Sequence, residues 1–519
     1  MVLAALLAAA FLVSLETTLV NVALPVLVRE LHASTSQLQW VVDAYNLVFA
    51  AMLLTAGSLS DRFGRKGMLL VGLAVFGTAS VVGGLATSPG ALTAARIVMG
   101  LGAAMTFPAT LSVLSNVFTG RNERALAIGL WGAATGVAIA IGPIAGGLLL
   151  ERYSWGSIFF AMGPVAALGM GLVALSVPTS RDSESWAVDV PGLLLSTGFM
   201  ALLVYTIIEA PTYGWGAGRT IAGLAGGLVL LGCFVLAESR TEHPMLDVRI
   251  FSNLRFSAAS GSVTIVLFTL FGFIFLIIQY MQIIRGWSPL SAGVHMLPVA
   301  MAVAVGSVAG MPLAVKVGTK VIVATGLASM TAFYIWTALT LTPTTSYGLI
   351  AAQMVVLGLG MGLAQSPATD SIMGAVSLGK SGVGSAVNDS TRLVGGTLGV
   401  AVIGSVYASV YGSRLAGHLP PLLSARYAAT AHQSVGAALA IAGRASSLGH
   451  PALGAALHQA ATNAFINGLN AGCYVAGGVA AIGVVLAVVF LPAQPPTAVF
   501  DDVATGTGEL GVAGLARLA

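Results

Sequence analysis

Gly57-Ser58-Leu59-Ser60-Asp61-Arg62-Phe63-Gly64-Arg65-Lys66 is the stretch on which the fold turns. It puts Asp61, Arg62, Arg65 and Lys66 within six residues of a chain that is only 8% charged and 57% hydrophobic. On either side lie apolar runs, 38–60 and 68–87, each long enough to cross a bilayer as a helix, which takes about 20 residues. A soluble domain carries about 25% charged residues, so this surface is too poor in charge to face water. The mean hydropathy of +0.94 points to lipid as the main solvent. The apolar runs have helical length and lack ten-residue alternation, which excludes a β-barrel.

Working outward, charges and turn residues divide the chain into fourteen spans: 3–25, 38–60, 68–87, 91–117, 125–150, 155–177, 191–209, 220–238, 257–283, 292–315, 321–341, 347–376, 382–411 and 466–492. The 65 glycines suit membrane helices, where small residues let backbones approach closely. Cys233 and Cys473 fall inside apolar runs and read as small buried hydrophobes. The first 25 residues lack a basic leader and outrun a signal-peptide core, so they read as the first span. An even span number puts both termini on one side. With that side cytoplasmic, thirteen lysines and arginines fall inside and seven outside, which favours cytoplasmic termini. The expected organisation is a six-helix half over 1–180, two inserted helices over 181–255 and a second six-helix half over 256–492. A tail follows over 493–519. The Ala/Ser/His-rich segment 412–465 is expected outside, as a helical hairpin over the external mouth or as a disordered linker.

The halves echo each other. Gly100-Leu101-Gly102 precedes Pro108-Ala109-Thr110-Leu111-Ser112, and Gly358-Leu359-Gly360 precedes Pro367-Ala368-Thr369-Asp370-Ser371. The basic loop Arg62-Phe63-Gly64-Arg65-Lys66 returns as Lys316-Val317-Gly318-Thr319-Lys320. Internal repeats mark secondary transporters, with the substrate site between the halves near mid-membrane.

Five stretches carry a family resemblance. The opening stretch is the first. Gly57 permits close helix packing, and Asp61 sits at a helix end where it can pair with a basic residue in one conformation and release it in another. A plain positive-inside anchor would need only the basic residues Arg62, Arg65 and Lys66, with Gly64 between them. In span 5, Gly136, Gly142-Pro143 and Gly146-Gly147 combine a helix bend with a smooth packing face. Span 1 reads Leu15-Glu16-Thr17-Thr18-Leu19-Val20-Asn21-Val22-Ala23-Leu24-Pro25, and Trp40-Val41-Val42-Asp43-Ala44-Tyr45 opens span 2. Pro244-Met245-Leu246-Asp247-Val248-Arg249-Ile250-Phe251 precedes span 9. Together these resemble the major facilitator superfamily, and within it the fourteen-helix drug:proton antiporters of the QacA type. The resemblance implies an all-α integral membrane fold with two six-helix halves and two inserted helices. It also implies a gating role for the Gly57–Lys66 loop, an antiporter role for the span-5 motif, and proton handling at Arg96 in span 4. Arg96 could instead snorkel to the external interface, since it lies only one to two turns from the helix end.

Buried carboxylates are the candidate exchange sites, because a lone carboxylate in a dry site tends to take up a proton. Such a group can hold a proton on one side and a cationic substrate on the other. Glu16, near the middle of span 1, is the first choice. Ser14, Thr17, Thr18 and Asn21 occupy a different face, leaving Glu16 to look into the cavity. Asp43 reads as a second acid or as an interfacial cap. In span 13, Ser385, Asn388, Asp389 and Arg392 form one polar stripe, in which Asp389 and Arg392 could simply neutralise each other. Asp370 reads as a separate site or as an inner-mouth charge. The resemblance implies matching acids at Glu16, Asp43 and Asp389. The span-10 acid of QacA-type exporters has no counterpart between Val299 and Gly306, which points toward monovalent or neutral lipophilic compounds. Phe268, Phe271, Phe273, Phe275, Tyr280, Met281, Met296 and Met301 could line a drug pocket or fill the core.

The expected function is therefore proton-coupled export of lipophilic, drug-like compounds from the plasma membrane by a monomeric, non-enzymatic protein surrounded by lipid. A lipid or lysolipid flippase, or a dedicated exporter of one endogenous antibiotic or metabolite, would use the same fold. The one G-x-x-x-x-G-K-[ST] match, Gly374-Ala375-Val376-Ser377-Leu378-Gly379-Lys380-Ser381, joins the apolar spans 347–376 and 382–411 with no strand before it, so an ATP-driven pump is not expected. No HExxH or CxxC pattern suggests a metal. No cofactor beyond the proton gradient and no nucleic-acid partner is expected; the pI near 9.1 follows from basic loops.

Overall fold

A backbone in hydrocarbon must make its hydrogen bonds within itself, and the computed structural model does so with helices throughout. It describes residues 1–118, 121–179, 189–241, 244–374, 381–420 and 423–491. The side chains of 54, 58, 61, 62, 121, 122, 124, 125 and 381–386 lie outside that description, as do the predicted tail 493–519 and the charges Arg181 and Lys380. α1 (Val2–Glu30), α2 (Thr35–Phe63), α3 (Arg65–Gly84), α4 (Pro89–Val117), α5 (Arg121–Arg152) and α6 (Ser157–Ser176) pack on one another. α7 (Val190–Tyr213) and α8 (Gly218–Arg240) follow. α9 (Leu254–Gln279), α10 (Pro289–His295), α11 (Leu297–Val317), α12 (Thr319–Thr340), α13 (Tyr347–Gly374) and α14 (Ser381–Ala416) build the second group. The described residues end with α15 (Ala425–Gln433), α16 (Val435–Ser447) and α17 (Pro451–Phe490). Among the described residues, thirteen stretches are long and apolar enough to cross a membrane, counting α10 with α11 as one. The 29-residue α2, which carries Gln37, Gln39, Asp43 and Asn46 in its first half, is the fourteenth long helix.

The repeat seen in sequence is a repeat in packing. A Cβ on Gly100 would lie 2.6 Å from the Tyr45 carbonyl of α2, and one on Gly358 would lie 2.5 Å from the Val299 carbonyl of α11. Two residues on, Gly102 faces the Gly72 carbonyl of α3 at 2.8 Å and Gly360 faces that of Gly326 in α12 at 2.7 Å. Each half thus uses one Gly-x-Gly to hold a central helix against two neighbours. The basic loops match as well. Gly64, at φ 109°, is the single residue between α2 and α3, and Gly318, at φ 106°, is the single residue between α11 and α12. Side chains rarely adopt this conformation, so glycine is what permits so abrupt a turn.

α7 leans on α2 and α14 through Met200, Val204 and Ile208, which meet Leu47 and Ala401. α8 packs on α7 and leaves Leu228, Val229 and Leu236 facing outward. Two spans depart from expectation. The predicted helix 292–315 is broken at Met296, one residue before Leu297-Pro298, where proline removes a backbone donor. The last helix begins at Pro451 rather than 466, because its Ala-rich first turns pack on α16, burying Leu457 and Ala461. α15 and α16 fall within the predicted segment 412–465 and seat on the helix ends opposite the Gly57–Lys66 loop. Thr35 Oγ1 donates to the Gln433 carbonyl at 3.2 Å, Tyr411 OH donates to that of Ala431 at 3.0 Å, and Gly436 lies against Val28.

Contacts between the halves gather at this same far side. Gln39 Nε2 donates to the Val400 and Ala401 carbonyls of α14, both at 3.1 Å. Gln282 Nε2, in the π-helical turn after α9, donates to the Val22 carbonyl at 2.9 Å. α10 lies along α5.

Candidate functional site

Arg96 is the largest fully buried side chain among the described residues, and it sits where α1, α2 and α4 meet. From α4, its Nε donates to the Val41 carbonyl of α2 at 2.7 Å. Its Nη1 donates to Glu16 Oε1 of α1 in an ion pair. Its guanidinium carbon stands 4.4 Å from the ring centroid of Tyr45, whose hydroxyl donates to the Val13 carbonyl of α1 at 3.3 Å. Arginine suits this position because its planar fork can serve a carbonyl, a carboxylate and an aromatic face together. Arg96 therefore does not snorkel to the interface. Glu16 turns toward Arg96 in the interior of the first half instead of looking into an open cavity, and its second oxygen, Oε2, has no hydrogen-bond partner among the described residues. A buried ion pair of this kind is held by geometry, and losing one partner costs about 3–5 kcal/mol.

Asp43 lies two residues from Tyr45 and Val41. It is wholly buried, and both of its carboxyl oxygens lack a hydrogen-bond partner among the described residues. It is not a helix cap: Ser34 fills that position in α2 with a full capping box to Gln37. Asn46, one turn further, also has an unpartnered oxygen, Oδ1. The first-half site thus combines a paired acid, its arginine and a second acid without a partner.

The remaining candidates fall elsewhere. Asp389 and Arg392 are half-buried on α14 and form no ion pair with each other; Asp389 accepts from Asn388 Nδ2 at 3.5 Å. Asn388 Oδ1 in turn accepts from Thr369 Oγ1 of α13 at 3.3 Å. Asp370 is exposed one turn from the end of α13, on the side of the Gly57–Lys66 loop. Of that loop, Gly57 packs toward Pro108, and Lys66 Nζ donates to the Ala174 carbonyl in the last turn of α6 at 2.8 Å. The side chains of Asp61, Arg62 and Ser385 lie outside the described residues. The aromatic and Met candidates of spans 9 and 10 are mainly core: Phe273, Phe275, Tyr280, Met281 and Met296 are buried, whereas Met301 is 67% exposed on the outer surface.

The span-5 motif divides into two faces. Gly142 and Gly146 lie against Leu15–Leu19 of α1. Pro143 and Gly147 meet α10, with Gly293 against the Pro143 carbonyl and Gly147 against Pro289 and Leu290. Gly136 has open space beside it. One motif therefore joins the acid-bearing helix to the other half. Sequence reasoning did not assign Tyr45, Gln39 or Gln282. The first was legible as an aromatic one turn from Val41; the other two gain meaning only from helices distant in the chain.

Two helical halves related by an internal repeat, with a buried ion pair inside the bundle, define a secondary transporter. The profile of the Major Facilitator Superfamily matches residues 6–400, and the chain belongs to that superfamily. It is 33% identical over 431 residues to the multidrug efflux pump LfrA of Mycolicibacterium smegmatis, covering 83% of this chain and 85% of that protein. It is 33% identical over 497 residues to the tetracenomycin C resistance and export protein of Streptomyces glaucescens, covering 93% and 90%. Among solved structures, a bacterial homolog of the human lysosomal transporter Spinster, crystallised in an inward-facing and unoccupied conformation, superposes with a TM-score of 0.66. Its sequence identity is 17%, over 96% of this chain and 98% of that one. The protein is accordingly a multi-pass membrane transporter of small molecules.

Proposed function

We propose that this protein exports lipophilic compounds across the plasma membrane in exchange for protons by alternating access, with the Gly57–Lys66 loop and both termini cytoplasmic. The observation that carries this reading is the buried Arg96–Glu16 pair with the unpartnered Asp43 beside it, on the first-half side of a bundle whose halves meet at the far side. In that geometry the cytoplasmic side is the open one. Protonation of Glu16 would release Arg96, and substrate binding would compete with the proton for the acids. Efflux relatives support the export direction. Asp389, Arg392 and Asp370 belong to the substrate path of the second half in this reading, and the protein works as a monomer.

The test is uptake into proteoliposomes. An acidic lumen should drive accumulation of a monovalent lipophilic cation by inside-out transporter, and Glu16→Gln and Asp43→Asn should each reduce it to the level of empty vesicles. Uptake indifferent to the pH gradient would refute proton exchange. Undiminished uptake in both variants would remove these acids from the mechanism. A narrower reading, export of a single antibiotic, is favoured by relatives that include the puromycin resistance protein of Streptomyces alboniger, 35% identical over 428 residues. A panel of cationic and neutral drugs separates the two: one transported compound means a dedicated exporter, several mean a multidrug one.

A further inference from the structure

Pro143 has no backbone N–H, so the carbonyl of Ile139, four residues earlier in α5, loses the donor that a helix normally supplies. That carbonyl has a donor from another helix: Thr18 Oγ1 of α1 lies 3.0 Å from it. Thr18 is buried, and its hydroxyl stands farther, 3.4 Å, from the Leu15 carbonyl of its own helix. A hydroxyl has one proton to give, and here the shorter contact crosses between helices. Gly142, beside the proline, keeps the approach open, because any Cβ there would collide with the Thr18 hydroxyl.

The second half supplies a contrast. Gly395 and Gly399 of α14 press on the Thr264 and Phe268 carbonyls of α9, much as Gly142 and Gly146 press on α1. Thr264 Oγ1 approaches the Thr391 carbonyl, but only to 3.4 Å, and donates to its own Ser260 carbonyl at 2.9 Å. The residue four beyond Thr391 is Gly395, not proline, so that carbonyl keeps its helical donor. The hydroxyl crosses over where proline has removed the donor and turns back where it has not.

We infer that Thr18 is a positioning residue of the transport cycle, its hydroxyl pinning the Pro143 bend of α5 to α1. Glu16 lies two residues before Thr18 on α1, and Pro143 and Gly147 carry the contact with α10. Through the pin, α1 and this part of α5 shift as one body when Glu16 changes partners, and the shift reaches the other half. The inference rests on the exchange role proposed for Glu16.

A double-mutant cycle tests it. Thr18→Val keeps the shape and removes the donor; Thr18→Ser keeps the donor. Pro143→Ala restores an N–H that serves Ile139 from within α5. In proteoliposomes T18V should lower the maximal rate of pH-driven uptake about tenfold, the scale of one orphaned buried acceptor, with KM changed less than about twofold and T18S close to wild type. In the P143A background T18V should have no further effect. A second readout needs no transported compound. With Cys233 replaced by alanine, thiol labelling of a cysteine at Ser291 on α10 should speed up about tenfold in T18V but not in T18V/P143A, because the far-side contact opens more often. Equal effects of T18V in both backgrounds, or T18S behaving like T18V, would overturn the inference. If wild type moves no test compound, the export reading fails, and the labelling cycle alone decides whether Thr18 couples α1 to α10.

Discussion

Arg96→Lys should abolish pH-driven transport as fully as Arg96→Ala, although it keeps the charge. Arg96 makes two directed bonds, from Nε to the Val41 carbonyl and from Nη1 to Glu16, while its plane faces Tyr45. An ammonium group is a compact point charge and cannot reproduce that fork. In either variant Glu16 stays in the core of the first half without its designed partner. Breaking a buried pair costs about 3–5 kcal/mol, equivalent to roughly two to four orders of magnitude in an equilibrium between conformers. The unfolding midpoint in detergent should fall in Arg96→Met and partly recover in Glu16→Gln/Arg96→Met, because the double variant buries no lone charge. Measured transport by Arg96→Lys above a tenth of wild type would contradict this account, as would a double variant less stable than Arg96→Met.

Gly147→Leu should stop transport by a different route and leave the Arg96 site intact. A Cβ at Gly147 would lie 2.5 Å from Leu290 Cα and 2.6 Å from the Pro289 carbonyl. These are backbone atoms of α10, so the neighbour has no side-chain rotamer with which to give way. Overpacking of this kind costs about 1–3 kcal/mol for a few methylenes and more against backbone. The strain arises only when α5 meets α10, so it penalises the far-side-closed state in particular. The variant should accumulate in the far-side-open state, bind substrate from outside and fail to return. A cysteine at Ser291 should label faster in Gly147→Leu than in wild type, with the folded yield unchanged. Gly136→Leu is the control: nothing lies beside Gly136, and transport should persist.

The membrane fold was legible because each span declares itself locally. A bilayer demands about 20 apolar residues per helix, and the basic loops stand out against so little charge. The repeat was legible for the same reason: Gly100/Gly358 and Gly64/Gly318 recur at matching places because both halves need the same close approach and the same one-residue turn. The break at Met296 was less visible, since Pro298 can start a helix as well as end one. The early start of α17 was hidden because Pro451–Phe465 follows from packing on α16 and not from hydropathy.

At the site, the sequence by itself determined which groups would be costly to bury. Glu16, Asp43 and Arg96 were marked by charge inside apolar spans, and Pro143 by its missing donor. The tertiary structure decided how each was satisfied: Arg96 joins Glu16, Val41 and Tyr45, Thr18 takes the Ile139 carbonyl, and Asp43 is left without a partner. A chain read alone shows the need for a hydrogen bond but not the donor, because the donor comes from a helix distant in the chain, as Thr18 is 121 residues from Ile139. Burial cost is a property of one residue in its solvent, whereas pairing is a property of where the packed bundle places two.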